Sequence, residues 1–337
     1  MIRLPRFEYF APGSLDEATR ILADRGPEAM VVAGGTGLLP NMKRRQQVPK
    51  VLVSLGRIPE LKSVAGVRLG AGLTLSTLCA QDAVKAQYPG LWQAAAQVAT
   101  PQLRNMGTLG GNLCLDTRCN YYDQSYEWRK SINFCMKKDG DVCWVAPGGC
   151  RCWAISSTDI APALVALNAR VRLVSRQGAR EIPVESMYRM DGMDHLTRKP
   201  DEILSEVLLD DATDWRSTYW KLRRRGSFDF PVLSAAAAIR LDQGGVVQEA
   251  RIVLGAVASK PLLIEEAGRA LTGKLLTDDS IAEAAEKAFA AAKPLDMTDF
   301  TAAWRKRLTA PLVTYALKEL RGDDMSAQRE RLVRHEW

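Results

Sequence analysis

Six of the seven cysteines lie between Gly107 and Cys152, in a segment that begins GTLGGNLCLDTRCNYY and ends DVCWVAPGGCRCW. Thiols this crowded form disulfides, bind a metal or carry out redox chemistry. The start of the chain, MIRLPRFEYFAPGSLDEATR, lacks the apolar core and cleavage site of a secretory signal. We therefore expect a cytoplasmic protein, in which reducing conditions favour metal ligation or redox chemistry over disulfides.

The length of the chain suggests two domains. Its 337 residues exceed what one hydrophobic core usually supports, and the polar segment DDATDWRST predicts a boundary near residues 210–218. No apolar run is long enough to span a bilayer. The net charge of +7 is modest and spread along the chain, so we expect neither a membrane nor a nucleic-acid partner. A basic surface for an acidic protein partner stays open.

Local patterns predict several helices and strands. SLDEATRILADRG has a serine cap with a glutamate three residues later, which is typical of a helix start, and AMVV and KVLVS indicate short buried strands. LTLSTLCAQ predicts a helix that continues to Tyr88, and PGLWQAAAQVAT predicts one that ends before Pro101. Pro311 should kink or restart the last long helix. The charged tail after it is expected to be loose or to contact another subunit.

Two glycine turns could hold a nucleotide. AGGTG, residues 33–37, follows a predicted strand, and glycine lets backbone amides approach a phosphate because no Cβ intervenes. Alone, this turn is more simply interpreted as structural, since it matches neither GxGxxG nor the P-loop. A second turn, NMGTLGGN at residues 105–112, changes the interpretation. Two turns suit one long dinucleotide, which has a pyrophosphate and two nucleoside ends.

The stretches VVAGGTGLLP, TPQLRNMGTLGGNL, STDIAPALVAL and YWKLRRRGSFDFP, in this order, resemble the FAD-binding medium subunits of the xanthine dehydrogenase family of molybdenum enzymes. The resemblance implies an α+β fold with a two-part FAD-binding domain in residues 1–215. It further implies a small α+β domain in residues 216–325 and a charged tail in residues 326–337. The implied partners are a small 2Fe–2S subunit and a large molybdopterin subunit, in a dimer of heterotrimers.

The resemblance also implies FAD contacts residue by residue. The first turn would wrap the pyrophosphate, Val98 would lie beside the flavin, and Asp159 would lie near the adenosine ribose. Lys221 would be a cation that favours negative charge on a reduced flavin. Without the resemblance, Lys221 would be assigned to the surface beside Arg223, Arg224 and Arg225. The full set is Val31, Val32, Ala33, Gly34, Gly35, Thr36, Gly37, Leu38, Val98, Thr108, Gly110, Gly111, Asn112, Asp159, Leu204 and Lys221.

A long insertion, residues 113–158, separates the second FAD loop from the helix that starts near Asp159, where most such subunits have only a few residues. Within the family, the 4-hydroxybenzoyl-CoA reductase type carries such an insertion, and its four cysteines hold a 4Fe–4S cluster. The resemblance implies the same cluster here, with one thiolate for each iron. The implied ligands, spaced C-x15-C-x7-C-x8-C, are Cys119, Cys135, Cys143 and Cys152.

Six cysteines compete for four ligand positions. Cys152 is preferred on spacing, although Cys150 could replace it, while Cys114 is expected beside the FAD loop and Cys79 in the core. A four-cysteine zinc site is the competing chemistry, but zinc modules usually present paired C-x2-C elements, which this sequence lacks. Because the insertion interrupts a link between a loop and a helix, we expect it to project outward and to stabilise the rest of the fold little.

The resemblance implies an oxidoreductase subunit in which FAD and the 4Fe–4S cluster pass electrons from ferredoxin towards the 2Fe–2S clusters and the molybdenum site. That site would remove a phenolic hydroxyl from an aromatic acyl-CoA during anaerobic degradation, and no residue of this chain would touch the substrate. Two alternatives stay open. One is the FAD subunit of an oxidative molybdenum hydroxylase with another substrate. The other, in a different class, is a four-cysteine zinc protein without flavin.

Overall fold

The amino-terminal part of the chain alternates strands and helices. In the computed structural model, which describes residues 3–226 and 228–334, its elements are β1 (Glu8–Phe10), α1 (Leu15–Arg25), β2 (Ala29–Val32), α2 (Leu38–Lys43) and β3 (Val51–Ser54). The strands are parallel, in the order β1-β3-β2. As predicted, Ser14 caps α1, because its Oγ accepts a hydrogen bond from the Glu17 amide at 3.2 Å. Gly26 ends the helix at a φ of 55°.

A second lobe packs helices against an antiparallel sheet. Its elements are β4 (Val64–Ala65), β5 (Arg68–Gly70), α3 (Leu75–Cys79), α4 (Asp82–Gln87), α5 (Pro89–Ala96), α6 (Pro101–Arg104), α7 (Leu109–Leu113), α8 (Tyr126–Ser131), α9 (Ile160–Ala166), β6 (Arg170–Ser175), β7 (Gly178–Pro183) and β8 (Ile203–Leu208). The sheet order is β4-β5-β8-β6-β7. The helix predicted to continue to Tyr88 is two helices instead, because Gln81 takes an extended ψ of 107° between them. α5 ends before Pro101, as predicted.

The carboxy-terminal part is an antiparallel sheet covered by helices. Its elements are β9 (Trp215–Leu222), β10 (Leu233–Leu241), β11 (Val247–Gly255), β12 (Leu262–Leu263), α10 (Glu265–Leu271), α11 (Asp278–Ala291), α12 (Ala302–Arg307), α13 (Thr309–Arg321) and α14 (Ser326–Arg334). The sheet order is β12-β11-β10-β9. The helical stretch restarts at Thr309, as predicted, and Pro311 lies in the first turn of α13, where its missing amide costs no hydrogen bond. Short 3₁₀ turns elsewhere span Gly26–Glu28, Pro59–Lys62 and Glu185–Met187.

Strand β10 joins two hydrophobic cores. Ala236 and Ala238 pack in the core of the second lobe, whereas Ala235 and Ala237 pack under the carboxy-terminal helices. Successive side chains of a strand point to opposite faces of a sheet, so one strand contributes to both cores. The carboxy-terminal sheet is therefore a wall between α5 and α9 on one side and α10, α11 and α13 on the other.

The charged tail is ordered as a helix, α14, up to Arg334. Arg329 anchors it, because its Nη2 lies 2.7 Å from Glu319 Oε2 and its guanidinium lies 4.1 Å from the centre of the Trp220 ring. The prediction of a loose tail is therefore wrong for residues 326–334, while residues 335–337 lie outside the described residues. Neither α14 nor any other helix in the described ranges is long and apolar enough to cross a membrane.

The cysteine-rich insertion folds back between the amino-terminal lobe and the carboxy-terminal part. The Tyr122 carbonyl accepts a hydrogen bond from Gln46 Nε2 at 2.5 Å, and the Asn120 amide donates to the Met297 carbonyl at 2.9 Å. The prediction of an outward-projecting loop is therefore wrong for the part of the insertion that packs against both neighbours, whereas Tyr126, Trp128, Val142 and Trp144 stay 37–41% exposed. The buried cluster that results comprises Cys119, Tyr122, Cys135, Cys152, Ala154, Ile155, Ala256 and Met297.

Candidate functional site

A cleft of about 550 Å³ lies where the amino-terminal lobe, the second lobe and the loop after β9 meet. Its walls include the glycine loop between β2 and α2 and the loop that leads into α7. Leu204 on β8 adds an apolar wall. All of the predicted FAD residues line this cleft except Lys221. The structure thus brings together two loops that lie some 70 residues apart in the sequence.

The two glycine loops touch each other at the base of the cleft. A Cβ built on Gly34 would stand 1.8 Å from the Met106 carbonyl oxygen, and one on Gly110 would stand 2.8 Å from the Ala71 Cβ. Gly35 has a φ of 72°, in the left-handed region that other residues rarely adopt. Glycine is required at Gly34 because a side chain would separate the two loops, and at Gly110 because a side chain would collide with Ala71. The two loops therefore lie side by side in the wall of the cleft.

Thr108 and Asn112 hold the second loop in place. Thr108 caps α7, because its Oγ1 accepts a hydrogen bond from the Gly111 amide at 3.0 Å. Asn112 Oδ1 accepts hydrogen bonds from Thr158 Oγ1 at 2.5 Å and from the Ile160 amide at 3.2 Å. Asn112 therefore joins the two ends of the insertion, so that α7 and α9 stay adjacent although 46 residues of chain separate Asn112 from Thr158.

Asp159 and Lys221 form a buried ion pair behind the wall of the cleft. Asp159 Oδ1 lies 2.9 Å from Lys221 Nζ and accepts a hydrogen bond from Tyr219 Oη at 2.8 Å, and Nζ also donates to the Gln97 carbonyl at 2.9 Å. Burial raises the pKa of Asp159 and lowers the pKa of Lys221, and the attraction between the two opposes both shifts. The surface position considered for Lys221 is wrong, since its side chain is 0% exposed.

The insertion contributes cleft residues that the sequence did not single out. Arg118 and Asp123 both line the cleft, and their side chains form an ion pair at 3.2 Å. The Arg118 guanidinium also lies 4.1 Å from the centre of the Phe230 ring, in the loop after β9. The signal for these residues was their position beside Cys119, but only the folded insertion shows that they reach the cleft.

The four predicted cluster ligands line one small cavity. Cys119, Cys135, Cys143 and Cys152 are each only 5–7% exposed, and no carboxylate or imidazole is among the described residues that line the cavity. Burial raises the pKa of Cys119 to about 12 and that of Cys152 to about 11, so both thiols are protonated at neutral pH unless a bound cation replaces the proton. Across residues 3–226 and 228–334, no three Cys, His, Asp or Glu side chains form a group that could hold a metal ion.

The other three cysteines lie outside this cavity. Cys150 is exposed, although it is only two residues from Cys152. Cys114 follows α7 and lines the cleft, beside the second loop as predicted. Cys79 packs against the core of the second lobe, which agrees with the expected structural role. Of the two, Cys152 lines the cavity and Cys150 does not, which agrees with the preference for Cys152 on spacing.

A polar network joins the cysteine cavity to the cleft. Lys137 lines the cavity, and its Nζ lies 2.7 Å from each of three oxygens, Asp116 Oδ1, Thr117 Oγ1 and the Gly192 carbonyl. Asp116 lines the cleft and also accepts a hydrogen bond from Tyr122 Oη at 3.0 Å. One ion pair thus spans the wall between the two sites.

A mixed α/β fold with two glycine loops on one long cleft defines a dinucleotide-binding flavoprotein. The family described as the FAD binding domain in molybdopterin dehydrogenase matches residues 5–209, and the CO dehydrogenase flavoprotein C-terminal domain matches residues 217–320. The chain belongs to the FAD-binding medium subunits of the molybdenum hydroxylase family, and is an oxidoreductase subunit. The family resemblance is confirmed, and this membership argues against a zinc protein without flavin.

Individual relatives match almost the whole chain. The carbon monoxide dehydrogenase medium chain of Hydrogenophaga pseudoflava is 30% identical over 93% of this chain and 96% of its own. The aldehyde oxidoreductase FAD-binding subunit PaoB of Escherichia coli K12 is 31% identical over 87% and 93%. The solved structure of reconstituted CO dehydrogenase from Oligotropha carboxidovorans has a TM-score of 0.78 at 26% identity and covers 96% of this chain and 100% of that one. None of these three relatives is named for 4-hydroxybenzoyl-CoA as its substrate.

Proposed function

We propose that this chain is the FAD- and 4Fe–4S-binding electron-transfer subunit of a 4-hydroxybenzoyl-CoA reductase-like molybdenum enzyme. The observation that carries the proposal is that four cysteines of the insertion line a single buried cavity, while Cys114 and Cys150 do not. A donor set made only of thiols suits an iron–sulfur cluster, because each of its irons takes a single cysteine and the four thiols need not form the single-ion group that the described residues lack. The Lys137–Asp116 contact connects this cavity to the flavin cleft.

The cleft offers FAD a complementary surface. The backbone of residues 33–37 is open to a pyrophosphate, because glycines let amides approach an anion closely. Val98 and Leu204 provide apolar contacts for the flavin rings, and the second loop holds the rest of the dinucleotide. We assign Lys221 an indirect role, since it lies behind Asp159 and fixes the Gln97 carbonyl next to Val98.

Three partners complete the proposal. Bound together, the cluster and FAD would relay single electrons between a low-potential ferredoxin, the 2Fe–2S clusters of a small subunit and the molybdenum site of a large subunit. The names of the relatives support the two subunits, because they are a medium chain and an FAD-binding subunit. Removal of a phenolic hydroxyl from an aromatic acyl-CoA would take place in the large subunit, away from every residue of this chain.

The second candidate is an FAD subunit of an oxidative molybdenum hydroxylase. The names of the relatives favour it, since they include a carbon monoxide dehydrogenase and an aldehyde oxidoreductase. The solved quinoline 2-oxidoreductase of Pseudomonas putida 86 is also similar, with a TM-score of 0.73 at 25% identity. Assays of the assembled complex separate the candidates: the proposal expects aromatic acyl-CoA reduction with reduced ferredoxin, whereas the alternative expects oxidation of another substrate.

The cysteine cavity provides a direct test with a matched pair of variants. In the purified complex, Cys152→Ser should lose the iron beyond that of the 2Fe–2S subunit, whereas Cys150→Ser should keep it, because only Cys152 lines the cavity. Both variants should retain FAD. Iron analysis and visible and electron paramagnetic resonance spectra measure these outcomes. The proposal fails if the unaltered complex has no iron beyond that of its partner, and the fourth ligand is wrong if Cys150→Ser is the damaging change.

A further inference from the structure

Lys137 is a buried cation at the edge of the cysteine cavity. Its side chain is 5% exposed, and its Nζ lies 4.8 Å from the centre of the Tyr122 ring. Its three hydrogen-bond acceptors hold the ammonium in one place. A charge in such a position acts strongly on its neighbours, because little water or salt screens it.

Asp116 places a negative charge on the other side of the same wall. Its carboxylate lines the cleft and not the cavity. Lys137 donates to Oδ1, while Oδ2 accepts hydrogen bonds from Tyr122 Oη, from Gln47 Nε2 at 3.3 Å and from Asn41 Nδ2 at 3.5 Å. The ion pair is therefore oriented, with its positive end at the cysteine cavity and its negative end at the cleft.

We propose that Lys137 and Asp116 are positioning residues that set the reduction potential of the centre held by the four cysteines, with opposite signs. The inference rests on the proposed function, since it needs a cluster in the cavity. Reduction adds negative charge to a cluster that four thiolates already make anionic, so a nearby cation favours the reduced state and a nearby anion disfavours it. Lys137 should raise the potential and Asp116 should lower it.

Lys138 supplies a matched control for the charge of Lys137. It is the next residue in the chain, yet its side chain is 35% exposed and pairs with Asp139 at 3.1 Å. Water screens such a pair, so removing its charge should have little effect at a distance. A comparison of Lys137→Met with Lys138→Met therefore separates a buried charge from net charge alone.

The test is a redox titration of the purified complex, followed by the electron paramagnetic resonance signal of the cluster. Lys137→Met should make the midpoint potential of the cluster more negative. The expected shift is about 59 mV, which for a one-electron couple corresponds to a change on the order of tenfold in the ratio of reduced to oxidised cluster. Asp116→Asn should shift it to more positive potential. Lys138→Met should leave it unchanged, and Lys137→Arg should restore most of the original value.

The two opposite shifts distinguish charge from structural support, because loosening the wall would move both variants in the same direction. Unchanged potentials, or shifts of the same sign in the two variants, overturn the inference. If the Lys137→Met complex loses the iron of the cluster, the Asp116→Asn complex still tests the inference. It keeps Lys137, and its midpoint potential must become more positive. If the unaltered complex has no such cluster, the proposed function fails as well; if it has the cluster and the potentials do not move, only this inference fails.

Discussion

Lys221 shows at the scale of one residue how burial changes the role of a charge. The resemblance implied a direct flavin contact, and the sequence alone suggested a surface lysine beside three arginines. In the fold, the Lys221 and Asp159 side chains are 0% and 3% exposed and bond each other. Removing either partner would leave the other charge buried without an opposite charge. Lys221 therefore supports the wall of the cleft.

We predict that Lys221→Met lowers the free energy of unfolding by about 3–5 kcal/mol, because it leaves the Asp159 carboxylate buried without its cation. Urea unfolding of the FAD-loaded protein measures this loss. Lys50→Met is the control, since Lys50 pairs with Glu28 where its own side chain is 74% exposed, and its loss should leave stability nearly unchanged. A Lys221→Met protein as stable as the Lys50→Met protein would show that the buried pair contributes little.

At the scale of an element, the glycine loop that leads into α2 combines three different requirements. Gly34 leaves room for the Met106 carbonyl of the second loop, and Gly35 adopts a positive φ of 72°. Gly37 has an ordinary φ of −96°, and a Cβ there would meet only the Leu115 side chain, at 3.6 Å. A larger residue at Gly34 or Gly35 would disturb the backbone itself, whereas one at Gly37 would mainly occupy the cleft.

We predict that Gly37→Val folds but weakens FAD binding by about tenfold or more, because the branched side chain projects into the space expected for the pyrophosphate. The ratio of FAD to protein after gel filtration, together with the melting temperature without FAD, measures the two effects separately. Gly13→Val is the control, since a Cβ there has no heavy atom within 4 Å and the position lies outside the cleft. Stoichiometric FAD in a folded Gly37→Val protein would refute the placement of the pyrophosphate.

At the scale of the whole molecule, the insertion ties the carboxy-terminal part to the flavin-binding lobes. Met297 is 1% exposed and packs in the cluster that contains three of the four cysteines of the cavity. Its carbonyl accepts the Asn120 amide at 2.9 Å. The cysteine cavity therefore depends on a residue more than 140 positions later in the chain than Cys152.

We predict that Met297→Ala lowers the free energy of unfolding by about 2–5 kcal/mol, the usual cost of truncating a buried large side chain. It should also speed tryptic cleavage within residues 113–158, because the insertion loses part of the surface on which it packs. Met193→Ala is the control, since Met193 is 51% exposed. Cleavage at the same rate in both variants would mean that the insertion holds its shape without the carboxy-terminal part.

The sequence by itself determined the features that depend on near neighbours. The Ser14 cap, the helix restart at Pro311 and the need for glycine at Gly35 follow from backbone geometry within a few residues. The four stretches that resemble the medium subunits were enough to indicate the family, whereas the set of four cysteine ligands stays a prediction. The physical cause of each of these features lies in adjacent residues, so each can be recognised from the sequence alone.

Only the tertiary structure decided what is buried and which segments meet. Lys221 is half of a buried ion pair because β9 packs over α9. The insertion folds back because Met297 provides a surface on which it packs. Spacing favoured Cys152 over Cys150 without excluding Cys150, and of the two only Cys152 lines the cavity. Burial results from contacts between residues far apart in the chain, and burial sets the free energy of each charge and thiol. Local sequence patterns therefore could not predict which charges and thiols are buried.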